Sequence, residues 1–459
     1  MIPPKTDLKD EKANGITELR GLQALAAGII PACRSLMNLA GDPLFVNSSS
    51  WVGARAIAGL VRVGILLAIA RAYGPAEFGQ LSLAISIVEI LRTFSEFGVD
   101  TVSIRKFAQV APEERIELLG GILGAKLLMA TCFYCVGACV LWLVADGRTV
   151  VELGAIAGLS FFFAGALGAL SSYLQSFFSM SRLLGTTLLA SGTSVCFATA
   201  AIVTKSPLVW VIFALPLADL LNLYLLWRRL NTPLRIRFRV EETLSLLKES
   251  LPVGFSAVSV ALYFRLDNLF VFKLAGESAL GLYAVCYRIV EPVLMVPASF
   301  SITAYTYLSD KKHQRAGTGE VTQVLSRTMW PAYAFVAVVG TTLVFTGKLI
   351  LARFFSGYQA AYPILVVLVL ALAVRTLNLS LTAVLNSRAK YTVLAKITAT
   401  SVVLNVLSVT FLVSRWGALG AAWAALLTEI LNTLMQGRSV MSSLLIVSCP
   451  LVAESVNVE

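Results

Sequence analysis

The chain has 459 residues, of which 57% are hydrophobic and only 14% are charged, and its mean hydropathy is +0.80. Soluble domains carry about 25% charged residues, so this composition excludes a water-soluble protein and indicates an integral membrane protein. The formal net charge of +11 does not indicate nucleic-acid binding, because membrane proteins concentrate lysine and arginine in their cytoplasmic loops. We therefore expect no nucleic-acid partner.

The first 46 residues precede the apolar part of the chain. Acidic and basic residues are mixed over residues 1–20, whereas a secretory signal begins basic and passes directly into an apolar core. Prolines and charged residues interrupt the mildly apolar stretch that follows. We interpret residues 1–46 as a cytoplasmic N-terminal extension with no assigned role.

Apolar stretches of about 20 residues, the length that spans a bilayer, follow one another from residue 51 onwards. The alternating pattern of membrane β-strands is missing from them, so the sequence predicts an all-α integral membrane fold of about twelve transmembrane helices. The predicted spans are 51–70, 78–97, 118–145, 151–171, 184–204, 208–227, 250–272, 280–308, 328–347, 361–385, 392–413 and 418–437. A weakly apolar run at 440–453, in a C-terminal tail of residues 439–459, leaves a thirteenth span open.

The basic residues between the spans predict the orientation. With the N-terminus inside, the cytoplasmic loops hold 17 lysines and arginines and the outer loops hold 7, so both termini are expected in the cytoplasm. The longest inner loop is also the most basic. It divides the chain into an N-lobe (residues 47–230), a linker (231–249) and a C-lobe (250–438), each lobe with six spans.

The two lobes carry related sequences. A shift of 202 residues aligns Gly74-Pro-Ala-Glu-Phe-Gly79 with Gly276-Glu-Ser-Ala-Leu-Gly281, and both segments lie at the turn between the first two spans of their lobe. The same shift aligns Glu89 with Glu291. These matches indicate a duplication, and an even number of spans per lobe predicts a repeat axis along the membrane normal.

Residues 47–110 contain the most specific pattern in the chain. Leu-Ala-Ile-Ala-Arg-Ala-Tyr-Gly-Pro-Ala-Glu-Phe-Gly-Gln-Leu-Ser-Leu-Ala at 67–84 and Ser-Glu-Phe-Gly-Val-Asp-Thr at 95–101 resemble the polysaccharide biosynthesis protein family of oligosaccharide flippases. That family belongs to the superfamily that also contains multidrug and toxin extrusion transporters and lipid II flippases. The other spans match it in number and spacing but only weakly in residues.

The resemblance implies two pseudo-symmetric six-helix bundles that form a V around a central cavity. It also implies a flippase, not an enzyme, that moves an undecaprenyl-diphosphate-linked oligosaccharide to the outer leaflet by alternating access, for O-antigen, capsule or exopolysaccharide synthesis. The expected partners are this lipid-linked oligosaccharide, the bilayer, a polysaccharide polymerase and glycosyltransferases. The expected location is the bacterial inner membrane, and no cofactor is expected beyond coupling to a proton or sodium gradient.

Ionisable groups inside the spans are the candidate functional residues, because a charge in a bilayer requires a partner or a water-filled cavity. Arginine stays charged at any relevant pH and binds phosphate through two parallel hydrogen bonds. Five arginines are therefore predicted to form a cationic substrate cavity: Arg55, Arg62, Arg265, Arg288 and Arg375. The duplication predicts that Arg62 and Arg265, one position out of register, face each other across the central cleft.

Structural explanations remain open for these charges. Glu89 with Arg92, and Arg288 with Glu291, are spaced three residues apart and could simply neutralise each other on one helix. Arg55 and Arg92 could also reach the cytoplasmic surface. The tyrosines at 263, 283 and 287 could stack on sugar rings or anchor helix ends at the membrane interface.

Three carboxylates, Glu89, Asp267 and Glu291, are candidates for coupling to a proton or sodium ion, because a buried carboxylate can bind and release a proton. No catalytic or metal site is predicted. The only histidine, His313, lies in a short basic loop, and the Cys132–Cys135 pair lies within an apolar helix.

A lipid II flippase or a cation-coupled multidrug antiporter on the same scaffold are the alternative functions. A carrier of cationic drugs should have an acidic or apolar cavity, whereas the spans here hold more arginines than acids. Lipid II flippases have fourteen spans in their family pattern, against twelve predicted here.

Overall fold

The computed structural model describes residues 43–448, apart from 112, 145–146, 177–180, 231–235, 239 and 311–316. Most of the predicted N-terminal extension and part of the predicted linker and tail therefore lie outside the described residues. The described chain is almost entirely helical, as the composition predicts.

The helices of the first half are α1 (Pro43–Tyr73), α2 (Pro75–Glu96), α3 (Val99–Gln109), α4 (Arg115–Val144), α5 (Arg148–Gly158), α6 (Ser160–Ser176), α7 (Ser181–Val203), α8 (Leu208–Ile212) and α9 (Ala214–Leu230). Pairs α5–α6 and α8–α9 each cross the membrane as one broken helix. The first half thus supplies six spans, and the short α3 runs between the second and third of them.

The helices of the second half are α10 (Val240–Ala275), α11 (Glu277–Val290), α12 (Met295–Leu308), α13 (Thr318–Phe354), α14 (Tyr362–Ser387) and α15 (Tyr391–Ser448). A 3₁₀ turn, Glu291–Leu294, joins α11 to α12, so the two form one broken span. Helix α10 begins inside the region that the sequence assigned to the linker.

Twelve spans account for the described residues. Ten helical segments are long and apolar enough to cross a membrane. Helix α2 is long enough to add an eleventh, although Glu89 and Arg92 lower its hydropathy. The twelfth arises because α15 folds back at Gly417, whose φ of 56° breaks the helix. Its second half continues without interruption to Ser448, so residues 440–448 extend the last span and do not begin a thirteenth.

The duplicated turn is a reciprocal contact between the lobes. Gly74 and Gly276 precede α2 and α11 with nearly the same backbone angles, φ 86° and 87°. A Cβ on Gly79 would lie 1.9 Å from the carbonyl oxygen of Glu277, and a Cβ on Gly281 would lie 1.9 Å from that of Pro75. Both pairs obey the 202-residue shift, so the predicted equivalence of the two turns is confirmed.

The largest apolar cluster joins both lobes behind this contact. Leu81 and Ile85 of α2 are buried with Leu280 and Val285 of α11 in one cluster. Sheltered by these small and branched side chains, α2 and α11 pack closely along their first turns. The lobes therefore meet at the end of the molecule that the orientation predicts to be outside.

Helix α10 also packs against the other end of α2. Gly98, with φ +71°, follows α2, and a Cβ there would lie 2.9 Å from the backbone nitrogen of Gly254. Nearby, Glu249 accepts ion pairs from Arg105 at 2.8 Å and from Lys106 at 2.7 Å. These contacts hold α3 of the N-lobe against the start of the C-lobe.

Candidate substrate cleft

A cavity of about 410 Å³ lies between the two lobes. Its walls come from α1 and α2 of the N-lobe and from α10, α11, α12 and α14 of the C-lobe. Its charged lining residues are Arg62, Glu89, Arg265, Arg288, Glu291 and Arg375. Four of the five arginines predicted from the sequence thus converge on one cleft. Whether they bind substrate stays a prediction.

The cleft lies deep in the membrane-spanning part of the fold. Glu89 is 15 residues from Gly74, and Glu291 is 15 residues from Gly276. At 1.5 Å per residue the acids lie about 22 Å from the two turns, which is past the middle of a hydrocarbon core of about 30 Å. Charges at this depth require partners or water.

Glu89 lies between the two arginines that the duplication places opposite each other. Its Oε1 accepts a hydrogen bond from Arg62 Nη2 at 3.1 Å, and its Oε2 is 2.6 Å from Arg265 Nε. The sequence predicted two guanidinium groups facing an empty cavity, and that prediction is wrong. A carboxylate from the N-lobe separates them and offsets their repulsion.

The C-lobe repeats half of this arrangement. Arg265 Nη2 donates to Glu291 Oε1 at 3.0 Å, which matches the 3.1 Å bond between Arg62 and Glu89 at the equivalent positions. Arg288 Nη1 donates to Glu291 Oε2 at 3.1 Å, so the predicted three-residue pair is confirmed. Arg265 is thus held by a carboxylate of each lobe and ties the two halves of the cleft together.

The corresponding pair on α2 is different from the one that spacing suggested. Arg92 Nε donates to Glu96 at 2.8 Å, one helical turn further on, while Glu89 turns towards the cleft. The expected pairing of Glu89 with Arg92 is therefore wrong. Arg62 and Arg265 attract the carboxylate because they approach it from neighbouring helices, which sequence spacing on α2 alone cannot reveal.

Arg375 occupies the C-lobe side of the cleft. Its guanidinium lies 3.8 Å from Glu429 and stacks 3.8 Å above the ring of Phe264. Glu429 is itself buried and accepts hydrogen bonds from Tyr263 at 2.8 Å and Asn378 at 2.6 Å. The sequence analysis did not select Glu429, although an acid in the middle of the last predicted span was the available signal.

The third ion-coupling candidate, Asp267, is buried behind the cleft. Tyr283 donates its hydroxyl to Asp267 Oδ2 at 2.7 Å, and Oδ1 has no hydrogen-bond partner among the described residues. Tyr283 is almost completely buried, so it neither faces a sugar nor anchors a helix end. A coupling role for Asp267, Glu89 or Glu291 stays a prediction. The side chain of Arg55 lies outside the described part.

A second cavity, of about 510 Å³, extends from the cleft into the N-lobe. Arg62 and Gly59 line both cavities, so they adjoin. The second cavity is walled by Arg92, Glu96 and Asp219 and by hydroxyl and amide side chains. Below it, Lys126 is only 1% exposed and forms an ion pair with Asp100. None of these cavity residues was selected from the sequence except through the 95–101 motif.

Comparison with known proteins follows the same lines as the geometry. The family model described as polysaccharide biosynthesis protein matches residues 68–347, more than half of the chain. The chain belongs to this family. No curated protein matches the whole sequence. The family match includes the duplicated turn, the acids of α2 and α11, and most of the arginines of the cleft.

Solved structures with the same fold are membrane transporters. The lipid II flippase MurJ in an inward closed conformation superposes with a TM-score of 0.72, at 14% identity over 87% of this chain and 89% of that one. An inward-facing multidrug resistance MATE transporter of the MOP superfamily gives 0.69, at 14% identity, with 86% and 95% covered. An outward-facing MATE transporter gives 0.57, at 14% identity, with 89% and 98% covered.

These likenesses establish the fold of this family member as that of the MOP superfamily. The two-lobe, twelve-span architecture predicted from the sequence is confirmed. The closer match to the inward-facing of the two MATE structures agrees with the Gly79–Gly281 contact, which closes the cleft at the end of the two glycine turns. At 14% identity, the cargo of those transporters does not transfer to this protein.

Proposed function

We propose that this protein is a flippase that carries an undecaprenyl-diphosphate-linked oligosaccharide from the inner to the outer leaflet for surface polysaccharide synthesis. The family to which the chain belongs supports a role in polysaccharide biosynthesis. The proposed location is the bacterial inner membrane with both termini in the cytoplasm. A polysaccharide polymerase and glycosyltransferases are the proposed functional partners.

One observation carries the proposal, the convergence of four arginines on the cleft between the lobes. They outnumber the two carboxylates in its lining, so the cleft has an excess of positive charge in a region of low dielectric constant. A diphosphate placed there gains charge-assisted hydrogen bonds, and guanidinium groups match its paired oxygens. A cationic cargo would be repelled from the same cleft.

Glu89 and Glu291 give the cleft a means of exchanging partners. Without cargo they neutralise Arg62, Arg265 and Arg288 in part, so the arginines stay ordered. An entering diphosphate competes with the carboxylates for the same guanidinium groups. Because Arg265 bonds to acids of both lobes, that competition loosens a contact between the lobes and favours the rocking that alternating access requires.

The test is polysaccharide export in a strain that lacks its own flippase. Arg265→Ala and Arg62→Ala should each reduce surface polysaccharide at least about tenfold, since a hydrogen bond to a charged group contributes about 1.5–3 kcal/mol. Arg→Lys should restore export only in part, because an ammonium lacks the planar fork of a guanidinium. Protein level in the membrane fraction is measured alongside.

Two controls separate binding from folding. Arg71→Ala removes an exposed arginine at the end of α1 and should leave export unchanged. Arg265→Gln combined with Glu291→Gln removes a charge of each sign, so it should fold well and still fail to export. Normal export by both alanine variants at normal protein level contradicts the proposal.

Coupling to a proton or sodium gradient is part of the proposal. Asp267 is the strongest of the three candidates, because Glu89 and Glu291 already contact arginines that hold them ionised. Its unpaired Oδ1 faces the buried interior of the C-lobe, where a cation or proton would have no other anionic partner in direct contact among the described residues.

A further inference from the structure

We infer that the cavity inside the N-lobe is a second binding site, which takes the sugar chain of the lipid-linked cargo while the arginine cleft takes its diphosphate. This inference rests on the proposed function. It assigns the two ends of one polar headgroup to two adjoining cavities of different chemistry.

The first argument is the balance of charge. Arg62 and Arg92 face Glu96, Asp100 and Asp219 in the N-lobe cavity, and Lys126 neutralises Asp100 from below. Unlike the central cleft, this cavity has no marked excess of either charge. It therefore suits a neutral polar ligand better than an anion or a cation. A sugar chain has that character, and its hydroxyl groups can both donate to carboxylates and accept from arginine.

The second argument is the composition of the wall. Hydroxyl and amide side chains line the cavity from three helices, with Ser171 on α6, Thr187 and Ser191 on α7, and Asn222 on α9. A cavity in a membrane protein that only filled space would be lined by apolar residues, because a buried polar group without a partner costs free energy. Its volume of about 510 Å³ lies within the usual range of small-molecule sites, about 300–1,000 Å³.

The third argument is an unfilled hydrogen bond. Asn222 is only 8% exposed, and its Nδ2 donates weakly to Thr187 at 3.3 Å. Its Oδ1 has no partner among the described residues. Nε of Arg62, at the boundary with the cleft, has none either. A buried acceptor and a buried donor at two places on one wall are what a hydroxyl-rich ligand would satisfy.

The fourth argument is continuity. Arg62 and Gly59 belong to the walls of both cavities. A diphosphate bound by Arg62 and Arg265 therefore has the N-lobe cavity beside it. The first sugar is bonded directly to that diphosphate, so it has only to turn towards α7 and α9 to enter. The C-lobe offers no comparable space in its described part, where the neighbouring cavity measures about 40 Å³.

The experiment compares binding of two lipids by the purified protein in nanodiscs, undecaprenyl diphosphate without sugar and undecaprenyl diphosphate that carries an oligosaccharide. Ser191→Leu fills the cavity and removes a hydroxyl. Asn222→Leu removes the unpaired acceptor. Each should weaken binding of the sugar-bearing lipid about tenfold, the equivalent of one or two hydrogen bonds. Binding of the bare diphosphate lipid should change less than about twofold.

The matched control is Thr193→Leu. It makes the same kind of change two residues along α7, at an exposed position. It should leave binding of both lipids unchanged. If Ser191→Leu and Asn222→Leu weaken both lipids equally, or neither, the sugar site is refuted. A dependence of binding on sodium that disappears in these variants would also overturn it, in favour of a cation site.

Failure of the proposed function gives a different result. In that case the bare diphosphate lipid would not bind the unaltered protein, or Arg265→Ala would not weaken it. Binding of the bare lipid that depends on Arg265, with no effect of the N-lobe variants, leaves the flippase proposal standing and rejects only the sugar site.

Discussion

The two lobes keep the same skeleton but use their interiors differently. Ile65 and Leu81 are buried in the N-lobe, and the positions 202 residues later hold Asp267 and Tyr283, which are buried and hydrogen-bonded to each other. In the N-lobe the polar groups instead surround an open cavity. One lobe is therefore hollow with a polar wall, and the other is filled by polar side chains that satisfy one another.

The second span of each lobe shows the same divergence. Both keep the glycine turn and the glutamate of the cleft. Beyond the glutamate, α2 continues with Arg92 and Glu96, where the C-lobe has Leu294 and Ala298. Duplication thus preserved the parts on which contact between the lobes depends, while the charges that line the N-lobe cavity occur in one copy only. A transporter needs symmetry for its motion but not for its binding site.

The largest effect should come from the ion pair inside each lobe. Asp100→Asn leaves the ammonium of Lys126 buried without its counter-ion, and breaking such a pair costs about 3–5 kcal/mol. Because Asp100 is partly open to the cavity, we expect a value near the lower end. Glu429→Gln in the C-lobe should cost less, since Arg375 keeps its contact with Phe264. Thermal unfolding in detergent measures both.

Adding Lys126→Met to Asp100→Asn provides the control, because it removes the stranded charge and should recover most of the lost stability. If Asp100→Asn is as stable as the unaltered protein, the ammonium of Lys126 has another source of stabilisation, and the N-lobe is wetter than its burial indicates.

A smaller and equal effect is expected at the duplicated turn. Gly79→Ala and Gly281→Ala each place a Cβ 1.9 Å from a backbone oxygen of the other lobe, and such overpacking costs about 1–3 kcal/mol. Both should separate the turns and lengthen the distance between spin labels at Arg71 and Lys273. Gly64→Ala, where nothing lies within 4 Å, is the control. Unequal effects of the two alanines would break the symmetry of the contact.

The sequence predicted this turn because glycine has a local signature. Gly74 and Gly276 need a positive φ, and Gly79 and Gly281 need close backbone approach, so each leaves a mark that a simple shift of the sequence recovers. The arginines were also recognisable, because charge inside a span is rare. Their partners were not. Glu89 chooses between Arg92 on its own helix and Arg62 and Arg265 on two others, and only the packing of three helices decides.

Glu429, Lys126 and Asn222 show the same limit. Each is a polar residue within an apolar helix, and the sequence offers many such residues that contact lipid headgroups or neighbouring backbone. Which of them lies beside a cavity depends on helix rotation. The hydropathy of a span does not specify that rotation when polar side chains occur on several of its faces.

The smallest effect should come from copying the N-lobe interior into the C-lobe. Asp267→Ile alone strands the hydroxyl of Tyr283, and an unpaired buried hydroxyl costs about 1–3 kcal/mol. Adding Tyr283→Leu removes both partners and reproduces the Ile65–Leu81 pair of the N-lobe. Replacing both partners by apolar groups of similar shape can be nearly neutral, so the double variant should unfold within about 1 kcal/mol of the unaltered protein.

That double variant also decides what Asp267 does. If Asp267 binds the coupling ion, the double variant is stable but its export no longer responds to collapse of the proton or sodium gradient. If Asp267 is only a packing residue, stability and gradient-dependent export both return together with the second substitution. The measurement is export with and without an ionophore, at matched protein levels, for Asp267→Ile, the double variant and the unaltered protein. A double variant that exports normally and still needs the gradient rules out Asp267 and moves the search to the carboxylates of the cleft.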